Sequence, residues 1–176
     1  MERAIALLFF SFITPAVVHA ADASDCRNLL TADEVAKAVG GAAKLTSAGK
    51  RGEVGTGAVE DERLEVCTWA ADTWLAGVNI DLVRSPEPAD LAYALKVVAS
   101  PLEERRTQRW PEERQDFGGV DCSSFSPPRP SKAEARMTGC VGEVDGAALY
   151  VSVSSRTARP TFDLVKRLFD EAAARL

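Results

Sequence analysis

Along residues 64–82, LEVCTWAADTWLAGVNIDL, apolar and polar positions alternate. Leu64, Val66, Thr68 and Ala70 stand against Glu65, Cys67 and Trp69. Past a turn near Asp72, Ala76, Val78, Ile80 and Leu82 stand against Asn79, Asp81 and Val83. A period of two with a reversal in the middle predicts a β-hairpin with one buried face. The pattern returns further on: Ala135 to Val144 reads as a strand, Asp145-Gly146 as a tight turn, and Leu149, Val151 and Val153 alternate with Tyr150, Ser152 and Ser154. After each hairpin the period becomes helical. Leu91, Leu95 and Val98 follow Pro86 and Pro88, and Phe162, Val165, Phe169 and Ala172 follow Pro160.

Ahead of the first hairpin, Thr31-Ala-Asp-Glu34 has capping-box spacing and opens a short helix with Leu30, Val35, Ala38 and Val39, closed by Gly40-Gly41. A strand is expected around residues 43–48, and a flexible loop over residues 50–63. Residues 101–116, PLEERRTQRWPEERQD, carry nine charges around Trp110 and read as a solvated helix extension and linker. SPPRP, residues 126–130, reads as a loop, because proline cannot donate within a ladder.

A shift of 73 residues superposes the two hairpin–helix segments without a gap. It pairs Cys67 with Cys140, Asp72 with Asp145, Val78 with Val151, Asp90 with Asp163, Leu91 with Leu164, Leu95 with Leu168 and Ala99 with Ala172, seven identities in thirty-three positions. Both a duplicated unit and chance agreement between two similar motifs give such a score. The expected architecture is an α+β domain, an antiparallel sheet with helices packed on one face, with a tandem of two hairpin–helix repeats as its finer form. In that form the pseudo-repeats cover about 24–100 and 117–176 of a single domain, 21–176, with 101–116 as a charged linker.

The N-terminus alters the setting. Arg3 precedes the apolar run Ala4 to Val18, and small residues follow at Val18 and Ala20, the plan of a signal peptide over residues 1–20; Ala21 and Ala23 offer a second cleavage site. The run is short of the roughly 20 residues that span a bilayer, so no permanent membrane anchor is expected. A periplasmic or secreted location follows. Four cysteines, Cys26, Cys67, Cys122 and Cys140, then predict two disulfides, and no pair has the close spacing of a zinc knuckle. Three pairings are open; if the repeat is real, each strand cysteine takes a partner from the segment before its hairpin, which favours Cys26–Cys67 and Cys122–Cys140.

Charge and chemistry narrow the function. The net charge of -5 opposes nonspecific nucleic-acid binding. His19 is the only histidine and lies within the signal peptide, so no catalytic triad, Cys-His dyad or histidine metal site is expected downstream of it. No C-x-x-C, G-x-S-x-G, Walker or dinucleotide-binding pattern occurs, and no metal or cofactor is expected. A carboxylate hydrolase, with Glu60, Asp61 and Glu62 as candidates, is the residual catalytic reading. Trp69, Trp74 and Trp110 are the candidate binding residues, since large amphipathic side chains favour interfaces.

Cys26 to Gly40, C-R-N-L-L-T-A-D-E-V-A-K-A-V-G, followed by C-T-W at Cys67 to Trp69, resembles the start of small exported bacterial envelope domains of unknown function. Similar two-disulfide architectures form the sensor domains of some bacterial receptor kinases. The resemblance covers residues 26–69 and lacks the lipid-bearing cysteine of the lipoprotein members, since Asp25 precedes Cys26. It implies a noncatalytic envelope domain with no defined ligand. The expected function is therefore a binding or sensor-like protein for a small molecule or an envelope protein; the alternative is a protein inhibitor or accessory subunit.

Overall fold

The computed structural model describes residues 26–50, 63–71, 76–84, 88–128, 135–156 and 159–176. The expected signal peptide, Trp74 and the acids Glu60, Asp61 and Glu62 lie outside these residues.

Seven strands, β1 (Ala43–Lys50), β2 (Leu64–Ala71), β3 (Ala76–Arg84), β4 (Glu112–Asp116), β5 (Asp121–Phe125), β6 (Arg136–Val144) and β7 (Ala147–Ser155), form one sheet. Their spatial order is β1-β2-β3-β7-β6-β5-β4, and every neighbouring pair is antiparallel. Among the described residues the helices are α1 (Ala32–Val39), α2 (Pro88–Val98), α3 (Ser100–Thr107) and α4 (Phe162–Ala173), with a 3-10 turn over Cys26–Asn28. The class is α+β.

Local chemistry explains the boundaries. Thr31 caps α1: its side chain accepts from the Glu34 amide at 3.2 Å, and the Glu34 carboxylate accepts from the Thr31 amide at 2.6 Å. Gly40 ends the helix at φ 73°, a left-handed conformation that glycine adopts without steric cost. Asp145 and Gly146, both at positive φ, make the two-residue turn between β6 and β7. Thr161 caps α4 by accepting from the Leu164 amide.

The two disulfides are Cys26–Cys67 and Cys122–Cys140. The first ties the N-terminal turn to β2, and the second joins directly opposed residues of β5 and β6. Bridges of this kind form in oxidising compartments outside the cytoplasm.

Helices cover both faces of the sheet, which corrects the expectation of one. Val165, Leu168, Phe169 and Ala172 of α4 and Val35 of α1 pack on Cys67, Trp69, Val78, Ile80, Leu82, Leu149, Val151 and Val153. Ala94, Val97 and Val98 of α2 and Leu102 of α3 pack on the opposite parity: Leu64, Val66, Val83, Phe125, Met137, Ala148 and Tyr150. Side chains alternate across a strand, so these two sets face opposite ways. Each strand of the hairpins is therefore buried on both sides, and positions such as Leu64 and Val83, assigned to different sides by simple alternation, share one core.

This arrangement also separates the two hairpin–helix segments. Cys67 and Cys140 sit at matching strand positions on the same face, but the helices that follow, α2 and α4, lie on opposite faces. The bridges differ as well: Cys140 pairs with the strand beside it, whereas the residue opposite Cys67 on β1 is Ala48. The expected linker at 101–116 is structured, forming most of α3 and then the edge strand β4.

Candidate functional site

The site is created where the second helix layer breaks. Helix α2 ends at Val98, and Pro101, in the first turn of α3, restarts a helix because it needs no amide partner there. Leu102 then turns into the core, where it is fully buried. After α3 the chain reverses through Arg109, at φ 58°, and returns as β4. Between α2, α3 and strands β4, β5 and β6 this leaves a groove of about 850 Å³.

Leu95, Ala99, Leu102 and Val141 supply its apolar lining, and Lys96, Glu103, Arg106, Arg114, Asp121 and Glu143 supply its charges. Four of those six are occupied with one another or with β4. Arg106 donates to Glu112 at 2.6 and 3.0 Å and to Ser123 Oγ at 3.0 Å, and also pairs with Glu103. Ser123 Oγ donates to the same Glu112 oxygen at 2.7 Å. Arg114 pairs with Asp121 at 2.5 Å. The Arg106 guanidinium and the Ser123 hydroxyl hold Glu112 below the usual carboxylate range, against the opposing effect of burial. Arg106 is raised in turn by Glu112. Lys96 and Glu143, both exposed, have no hydrogen-bond or ion-pair partner among the described residues.

Beneath the helices, Tyr150 is buried and directs its hydroxyl to Met137 Sδ at 3.7 Å, and burial pushes its phenol above the ordinary range. Ser152 Oγ is buried with no hydrogen-bond partner. On the other face, a smaller cavity of about 370 Å³ lies at the start of α4, beside Arg159, Ser124 and Glu113. Of its charges, Arg159 pairs with Glu113 at 2.7 Å and donates to Ser124 Oγ at 3.1 Å, and Asp163 has no ion pair among the described residues.

The candidate tryptophans are placed differently from their expected role. Trp69 is 2 % exposed and belongs to the core around Cys26–Cys67, and Trp110 is 8 % exposed with Arg105 stacked 4.5 Å from its ring centroid. Neither offers much surface to a partner; Arg105 stacks on Trp110, Arg106 pairs with Glu103 and Glu112, and Arg109 is exposed. The groove residues were missed because Lys96 and Glu143 look like ordinary surface charges, and Arg106 and Arg114 lie in a run read as a solvated linker. The register sets Asp116 opposite Asp121, and the Arg114–Asp121 pair is diagonal, so no simple charge match between the two segments signalled the hairpin.

Among the described residues no group of three or more His, Cys, Asp or Glu side chains is placed to hold a metal ion, and no helix is long and apolar enough to cross a membrane. Compared with protein-family models, with curated proteins and with solved structures, the chain finds no match.

Proposed function

We propose that this protein is an exported, noncatalytic binding or sensor-like module of the bacterial envelope, periplasmic or secreted, that holds a small molecule in the groove between α2, α3 and the β4–β6 side of the sheet. The observation that carries this reading is the groove itself. Its volume of about 850 Å³ lies within the range of small-molecule sites, and its lining combines apolar side chains with a few fixed polar ones. Helix α3 and strand β4 are locked together by Arg106, Glu112 and Ser123, so the walls are preorganised, which lowers the cost of binding.

The alternative, an inhibitor or accessory subunit, needs an exposed aromatic patch or an open sheet edge. Among the described residues Tyr93, 52 % exposed, is the large hydrophobic side chain that reaches solvent. Edge strand β4 carries charge at Glu112, Glu113, Arg114 and Asp116, and edge strand β1 is interrupted by a bulge at Thr46. Both features discourage strand addition. For catalysis by paired carboxylates the groove offers one acid without an ion pair, Glu143, because Glu103 and Asp121 are ion-paired.

The test is capture of small molecules from envelope extract by the oxidised protein, with Ala99→Phe as a groove-filling control checked for an unchanged melting transition. The proposal expects a retained small molecule that the filled variant does not retain. Equal retention by both proteins, or none by either, would contradict it.

A further inference from the structure

The charge inventory of the groove specifies its ligand more closely. This step rests on the binding-module reading above. Of the cations that line the groove, Arg106 is engaged by Glu103, Glu112 and Ser123, and Arg114 by Asp121. Those charges are neutralised in place, and a ligand group could engage them only by displacing a protein carboxylate. Lys96, on α2, and Glu143, on β6, remain. They have opposite signs, they line the same groove, and α2 packs against β6. Even so, no ion pair joins them within 4 Å.

Two opposite charges that line one cavity without pairing complement two ligand groups: an anionic group for the Lys96 ammonium and a cationic group for the Glu143 carboxylate. A ligand carrying one charge would satisfy one residue and bring its charge near the other, where like signs repel. The partly exposed apolar side chains Leu95, Ala99 and Val141 of the same lining ask in addition for a hydrocarbon body.

We infer that the groove binds a zwitterionic amphipath, a molecule with an apolar body and a head group bearing both an anionic and a cationic centre, with Lys96 and Glu143 as the two residues that select the head. Selection by a pair of exposed charges is modest in affinity and clear in preference, because it acts on differences between ligands that share the same apolar body.

Calorimetric titration of the oxidised protein with dodecyl chains below their micelle-forming concentrations tests this. The probes are dodecylphosphocholine, dodecyl phosphate and dodecyltrimethylammonium. The zwitterionic chain is expected to bind about threefold more tightly than either singly charged one. Lys96→Gln should erase its advantage over the cationic chain, and Glu143→Gln its advantage over the anionic chain, while Lys96→Arg keeps the first. Equal affinity for all three heads, or a preference that survives both neutral variants, would overturn the inference and leave the groove as a binding site for apolar bodies. Failure of every dodecyl chain to bind would remove the binding-module reading of this groove together with the inference.

Discussion

Tyr150 occupies the space that a side chain at position 139 would need. Gly139, on β6, has its missing Cβ position 2.6 Å from the Tyr150 ring on neighbouring β7, and the ring is buried under the α2–α3 layer. The ring fills the space left over Gly139, whose cross-strand neighbours are Ser123 and Ser152. Gly139→Ala should therefore destabilise the fold by about 2–3 kcal/mol, since the ring is enclosed and has little room to give. Ser152→Ala, also on β7, should change stability by less than about 0.5 kcal/mol because the hydroxyl it removes has no partner. Denaturant unfolding of the two variants measures both; a harmless Gly139→Ala would show that the ring moves freely.

The two disulfides should separate structurally. Cys26–Cys67 closes a separation of 41 residues and Cys122–Cys140 one of 18, which corresponds in the chain-entropy account to about 4 and about 3 kcal/mol. The first fastens the N-terminal turn beneath the α1–α4 face, whereas the second joins β5 and β6, neighbours of Asp121 and Val141 in the groove. Replacing Cys26 and Cys67 by serine should expose α1 to amide exchange and leave groove binding intact. Replacing Cys122 and Cys140 should weaken groove binding. The reverse pattern would place the site elsewhere.

Acid should release the clasp between α1 and Arg175, which follows α4. Arg175 donates to Glu34 and to the Leu29 carbonyl, both at 2.8 Å, and the Arg175 hydrogen bond holds the Glu34 carboxyl at about 2, against the effect of burial and with help from Thr31. A carboxyl depressed in the folded state adds stability that is complete above its unfolded value near 4.5 and disappears as pH falls toward 2. Glu34→Gln should thus cost about 1–2 kcal/mol at neutral pH, a figure reduced for the solvent exposure of Arg175. The difference from the parent protein should shrink between pH 4.5 and pH 2 in paired unfolding curves. A pH-independent difference would assign the effect to helix capping alone.

Arg106 should be the structural pin of the groove wall. It links α3 to β4 through Glu112 and to β5 through Ser123, which is fully buried. Arg106→Ala removes these bonds and leaves Glu112 half-buried without its cation, for an expected loss of about 2 kcal/mol. Arg106→Lys should recover about half of that, because an ammonium cannot reproduce the forked contacts. Full rescue by lysine in thermal unfolding would reduce the role of Arg106 to charge alone.

Much of this fold was legible in the chain, for identifiable reasons. The capping box at Thr31, the Asp145-Gly146 turn and the helical spacing of Val165, Phe169 and Ala172 are local signals, and the local structure obeys them. The disulfide pairing was also legible, although the repeat that motivated it does not extend to the helices: α2 and α4 lie on opposite faces. The face a helix chooses depends on a crossover that no local pattern encodes. Strand β4 was hidden because Glu112 to Asp116 contains no apolar residue; its structure comes from pairing with β5 and from Arg106, a partner in another element. The groove was hidden for the same reason. Its walls are brought together by a helix break at Pro101 and a chain reversal at Arg109, and only after that do Lys96 and Glu143 share a cavity.

The most direct test of the central claim is amide chemical-shift mapping of the oxidised protein titrated with dodecylphosphocholine below its micelle-forming concentration. Saturable shifts are expected, confined to residues 95–106, Arg114, 119–121 and 141–143, which surround the groove. Saturable shifts centred instead on β1, or on the cavity beside Arg159, would contradict it.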